Sequence, residues 1–278
     1  MCIENMQRGT QSPDNGAATD LAPLEIVEML VTIFCFLKDS SAASQTLLDD
    51  FKSCQGYIFL SEFLLKLEQV PDKFGNLLKL FLLQNFQDSE PESSEAIRNL
   101  VLLVASLTFC GHTELTSAGV TTQSSLYQLP DFEMPVPENR GSTVRNLQAF
   151  QVLQSVFLKC SSASLGGTIL DAISTIYHGD NSNFFLLQNQ HTLSQAAEKI
   201  AGKPRSVQEK YFQLIEFLVH HIHHIPTKEL IAISLLLKAK KSLDCCVLAV
   251  QSLISILKFD NIFKDVFREV GMVEVLVC

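Results

Sequence analysis

Apolar residues recur along this chain at three- and four-residue spacing, most densely from Val207 to Cys278. Tyr211, Leu214, Ile215, Leu218, Ile222 and Ile225 share one helical face, which Phe212, Phe217 and Val219 widen. Glu209, Gln213, Glu216, His220 and His223 leave only a narrow polar line. The same period predicts helices over Thr227–Lys238, Ser242–Phe259 and Asp260–Val270, and another from Gly271 onward. A helix apolar around most of its circumference needs cover on more than one side. Short helices of this kind, joined by short connections, are the units of a helical solenoid.

Upstream, the period predicts helices over Leu24–Leu37, Ser44–Lys52, Tyr57–Gln69 and Ser94–Cys110, with Gly56 as a joint. Ser142 or Thr143 is expected to cap a helix whose apolar face runs Val144, Leu147, Phe150, Leu153, Val156, Phe157. Leu165–Tyr177 follows, then a helix–joint–helix over Asn183–Gln195. Asp49-Asp50-Phe51 leading to Gly56 is loosely echoed by Asp265-Val266-Phe267 leading to Gly271, and Asn183-Phe184-Phe185 before Leu193 suggests a third copy. Such joints recur in armadillo-type repeats. The expected fold class is all-α, an armadillo/HEAT-like right-handed α-solenoid.

Four segments are expected. Residues 1–21 are polar and predicted to be disordered. Residues 22–110 form a first helical-repeat block with an atypical apolar insert at 71–92. Within it Lys73–Phe86 carries eight Leu or Phe residues in one short run. That run reads as a buried helix, a membrane or partner helix, or sequence foreign to the mature protein. Residues 111–141 are a long Pro/Ser/Thr loop, because Pro130, Pro135 and Pro137 leave no room for a helix. Residues 142–278 form a second helical-repeat block that stops inside an apolar helix, as a fragment would.

Composition narrows the function. The chain has 278 residues, 47% apolar, with 12 Gly, 9 Pro and no Trp, a balance that favours helix over turn-rich β structure. Net charge is −9, and residues 1–200 hold 11 Lys+Arg against 22 Asp+Glu, with no basic stripe for nucleic acid. No signal-peptide core, Asn-x-Ser/Thr sequon or apolar run of about 18–20 residues is present, so no secretion and no membrane span is expected. Eight scattered cysteines without C-x-x-C read as buried free thiols of a reducing compartment.

His220-His221-Ile222-His223-His224 is the one cluster that suggests chemistry. On a continuous helix His220 and His224 would share a face at a zinc-compatible spacing, but no further ligand is placed nearby in sequence. Histidines on a polar stripe near a helix C-terminus are the simpler reading. Asp49-Asp50 reads as capping or solvated, and Gly166-Gly167 as a helix joint. P-loop, G-x-S-x-G, H-E-x-x-H and G-x-G-x-x-G motifs are missing. No catalytic, cofactor-binding or metal-binding residue is assigned, and no enzyme is expected.

Several stretches resemble a known family. Ser142-Thr-Val-Arg-Asn-Leu-Gln-Ala-Phe-Gln-Val-Leu-Gln154, Asn183 through Gln195, Leu47-Leu-Asp-Asp-Phe51 and Ile262 through Gly271 are similar to the N-terminal region of the autophagy-linked FYVE protein family, and second to its lymphoid paralogue. The resemblance covers most of residues 24–278, departing at Lys73–Gln87 and at the histidines. It implies an armadillo-like segment of a very large BEACH–WD40–FYVE scaffold for selective autophagy of protein aggregates. Partners would be other proteins, including autophagy or trafficking machinery. Membrane contact would come through regions outside this chain, and the location would be cytoplasmic or peripheral on endomembranes. The alternatives are an endomembrane-trafficking or membrane-associated BEACH-family module and, ranked below it, an all-α enzyme whose site is not visible in the sequence.

Overall fold

The computed structural model describes residues 32–33, 37, 45–69, 93–109, 113–116, 119–122 and 143–277. The expectations for residues 1–21, Lys73–Phe86 and the Pro-rich part of 111–141 lie outside these residues, as does most of Leu24–Leu37. The fold is all-α in class, with one short hairpin. Two compact units divide the chain: Met1–Val156 with Thr175–Asn183, and Phe157–Ser174 with Phe184–Cys278.

In the first unit, α1 (Gln45–Ser53) and α2 (Gly56–Gln69) meet at a tight joint. Gln55 there is left-handed at φ 57°, and the Phe51 ring packs edge-on against Tyr57 at 4.9 Å. A Cβ on Gly56 would run into the Phe51 ring, so the joint needs a residue without one. Next, α3 (Ser93–Ser106) runs into a 3₁₀ turn at Leu107–Phe109, with Val101, Val104, Ala105 and Phe109 fully buried. Strands β1 (Thr113–Thr116) and β2 (Gly119–Thr122) pair antiparallel, Thr113 opposite Thr122 and Leu115 opposite Val120. They lie inside the stretch expected to be a loop, where Thr and Val favour extended backbone.

The helix expected from Ser142 or Thr143 begins later, as α4 (Leu147–Lys159), and its cap is Asn146. The Asn146 Oδ1 accepts the Ala149 N–H at 3.1 Å while its Nδ2 donates to the Tyr57 hydroxyl at 2.8 Å. Residues 143–146 instead dock without regular secondary structure. The Arg145 and Asn146 N–H groups donate to the Thr108 carbonyl, and the Val144 N–H donates to Asn183 Oδ1 at 2.7 Å. Thr143 is drawn off to Asp180 at 3.0 Å, so its hydroxyl is not free to cap.

Gly166 and Gly167 lie inside α5 (Ala163–Gly179), a correction to their reading as a joint. A Cβ on Gly166 would stand 3.4 Å from Cys160 Sγ and 3.7 Å from Val207, so the glycine lets this part of the helix approach its neighbours closely. Asp49 and Asp50, expected at a helix end, are exposed within α1.

The second unit continues through α6 (Ser182–Leu187), a 3₁₀ turn at Gln188–Gln190, and α7 (Thr192–Ile200). Then come α8 (Arg205–His220), α9 (Thr227–Ala239), α10 (Leu243–Phe259), α11 (Ile262–Glu269) and α12 (Met272–Val277). The Ser242 hydroxyl accepts the Cys245 N–H at 3.3 Å and starts α10. Left-handed residues stand at or just beyond helix ends at His191, His223, Lys240 and Gly271. Neighbours in sequence pack together from α7 to α8 and from α9 through α12; helices two apart also lie side by side, α7 on α9 and α8 on α10.

Candidate interaction surface

Helices α8 and α10 run parallel. The carboxylate of Asp244 lies close enough to Arg205 to favour its charge, the Ser255 hydroxyl donates to Glu216 Oε2 at 3.3 Å, and His220 packs on Phe259 at 4.7 Å. All three pairs carry the same 39-residue offset, which holds the helices in register from end to end. Each buries a row of apolar residues. On α8 these are Tyr211, Leu214, Ile215 and Leu218; on α10 they are Cys245, Ala249, Leu253 and Ile256.

The outward faces differ. On α8 the row Arg205, Glu209, Gln213, Glu216, His220 repeats at helical spacing and is half-buried or exposed. Arg205 and Glu209 pair at 2.9 Å in the open. On α10, directly opposite the buried face, stand Leu243 (80% exposed), Val247 (48%) and Ile254 (46%), with Val250 half-buried among them. The expectation that every doubly apolar helix is covered on both sides therefore fails at α10 among the described residues. Its inner row meets α8, and its outer row meets nothing that the structure describes.

The histidines part company. Helix α8 ends at His220, because His223 is left-handed at φ 55° and Pro226 follows. His220 and His223 pack on Phe259, His221 on Phe217, and His224 on Phe184 and Phe185 at 4.9 and 5.8 Å. The shared helical face expected for His220 and His224 does not form, and Ile222 and Ile225 fall beyond the helix whose face they were expected to extend. Burial pushes the His224 imidazole below its ordinary pKa.

A second polar group lies inside the unit. The Tyr211 hydroxyl donates to the Leu193 carbonyl at 2.9 Å, with the charges of Glu229 and Cys245 within reach. Burial raises the pKa of all three, the Cys245 thiol to about 11. A thiol held that firmly in its protonated form is a poor nucleophile. Cys160 is also buried and Cys246 half-buried, as the thiol reading expects, whereas Cys54 is exposed. Lys203, which the periodicity did not single out, is buried. Its Nζ donates to the Phe157 carbonyl at 2.6 Å and to the Cys160 carbonyl, and it sits over the Phe157 ring. It closes the C-terminus of α4, where a cation suits the helix dipole.

This chain is 35% identical over 260 residues to WD repeat- and FYVE domain-containing protein 4 of Homo sapiens, which is 93% of this chain and 8% of that protein. The Mus musculus protein of the same name matches at the same identity and coverage. BEACH domain-containing protein A2 of Arabidopsis thaliana is 26% identical over 193 residues, 66% of this chain and 6% of that protein. The chain thus spans about 8% of the length of the first two relatives. No family model matches it, and no solved structure matches it.

Proposed function

Taking as premise that this chain is a relative of the WD repeat- and FYVE domain-containing proteins, we propose that it is a non-catalytic protein–protein interaction scaffold, one segment of a large BEACH-type protein. The observation that carries the reading is the outer face of α10, turned away from α8, where Leu243, Val247 and Ile254 stand exposed in a row. Exposed apolar rows edged by polar residues are what partner proteins bury. Packing of α7 on α9 and of α8 on α10 supports an armadillo-like right-handed solenoid, with helical blocks at 22–110 and 142–278. Selective autophagy of aggregates, in the cytoplasm or peripherally on endomembranes, is the process we assign to the whole protein. No described helix is long and apolar enough to cross a membrane.

Deleting this segment from the full-length protein and quantifying co-purifying proteins tests the reading. A discrete set of partners should be lost while the others stay. An unchanged partner set would refute the scaffold role.

A further inference from the structure

We propose that Cys160 and Lys203 form a covalent modification site, at which hydrogen peroxide joins Cys160 Sγ to Lys203 Nζ through a sulfur–nitrogen bond. The two atoms stand 3.6 Å apart, both residues are buried, and both belong to the second unit. They converge on one acceptor. Nζ donates to the Phe157 carbonyl at 2.6 Å, and the Cys160 thiol donates to the same oxygen at 3.4 Å. Nζ also donates to the Cys160 carbonyl and sits 5.0 Å from the centre of the Phe157 ring. Closing the end of α4 accounts for the two carbonyl contacts. It does not account for an amine held against a sulfur.

Peroxide converts a thiol to a sulfenic acid, and a sulfenic acid condenses with a nitrogen held beside it. In the first step Sγ attacks one peroxide oxygen and the O–O bond breaks; the departing hydroxide takes the thiol proton and leaves as water. Sulfur is oxidised by two electrons and the peroxide is reduced. In the second step Lys203, having released one ammonium proton to solvent, attacks Sγ through Nζ. The S–O bond breaks, and the hydroxide leaves as water with a proton from Nζ. One peroxide is consumed, two waters form, and the thiol and amine together lose two hydrogens. Burial selects the reagents: peroxide is small enough to reach a residue only 3% exposed, glutathione is not, and the amine is already at contact distance. The new bond ties residues 43 apart in sequence, fastening the end of α4 to the chain between α7 and α8.

The test treats the full 278-residue chain with hydrogen peroxide under native conditions, then alkylates, digests and weighs its peptides. A peptide carrying Cys160 joined to one carrying Lys203 is expected, lighter by two hydrogens than the separate pair and parted again by dithiothreitol. Cys54, which is exposed, is the internal control for oxidation. Lys203→Arg keeps a cation beside the carbonyls but removes the attacking amine, so its Cys160 should carry on to the sulfinic acid. Lys203→Met is the second variant and should show the same fate. The cross-link in the unaltered chain is read without either variant.

Cys160 left as a thiol while Cys54 is oxidised would overturn the proposal, as would Cys160 recovered as a sulfinic acid or a mixed disulfide in the unaltered chain. A joined pair heavier than expected by one oxygen would mean a bridge through oxygen and would overturn the direct bond. A cross-link from Cys160 to any other lysine would equally refute the assignment. None of these outcomes bears on the scaffold reading, which the segment deletion tests separately.

Discussion

Glu229 stands in the first turn of α9 with only 8% of its surface exposed. Burial raises its pKa above the ordinary value of 4.5, and the backbone N–H, Lys228 and His191 offset that only in part. A carboxyl whose folded pKa is raised stabilises the fold below its ordinary pKa and loses that contribution as pH rises through the folded value. At neutral pH its charge is therefore a cost. Glu229→Gln is expected to raise the melting temperature at pH 7, and the gain should vanish near pH 4; calorimetry at the two pH values decides it. Lys203 is the opposite case, a buried cation whose removal takes two charge-assisted hydrogen bonds from the Phe157 and Cys160 carbonyls. Lys203→Met should cost about 1–3 kcal/mol in urea unfolding, with the methylene stem kept in place. The buried, rigidly bonded geometry makes that loss larger than a surface lysine's.

Five of the described joints share one spacing. Left-handed Gln55, His191, His223, Lys240 and Gly271 each come four residues after a buried apolar side chain: Phe51, Leu187, Val219, Leu236 and Phe267. This is the geometry in which a left-handed residue closes the last turn over a buried contact. It also tightens the internal echo: counted to the left-handed residue, the Phe51 and Phe267 joints have identical spacing, and Gly56 is the residue after the turn. At Gly271 a Cβ would meet nothing within 4 Å, so only backbone strain opposes a side chain there. Gly271→Ala should therefore destabilise by about 1 kcal/mol, and Lys240→Gly should stabilise by a comparable amount. Paired denaturation curves check both signs, and a neutral Gly271→Ala would mean that the joint relaxes to a right-handed turn.

Across the second unit, protection should be graded. Helices α8 and α10 hold residues with no exposed surface, such as Tyr211, Ile215 and Ile256, whereas α12 buries only Met272 and leaves Leu276 and Val277 open. Native-state hydrogen exchange should be slowest in α8 and α10 and fastest in α12, because in a stack each helix is held only by its neighbours. Equal protection throughout would point to a single cooperative core.

The periodicity from Arg205 to Val277 determined the helices and their ends to within a few residues, because a 3.6-residue period, Ser242 before α10 and Gly271 between α11 and α12 are local facts. The early stop of α8 was missed although Pro226 signalled it, since apolar residues at 222 and 225 kept the period alive past the helix. The late start of α4 depended on Asp180 and Asn183, more than thirty residues away. Period alone shows that α10 is apolar on two sides, but which side is covered depends on where α8 packs. Neither the burial of Lys203 nor the separation of the histidines could be read from composition. Sequence specified the faces, because side-chain direction follows from backbone period. Tertiary structure chose which faces meet, because burial is a property of neighbours brought together from distant parts of the chain.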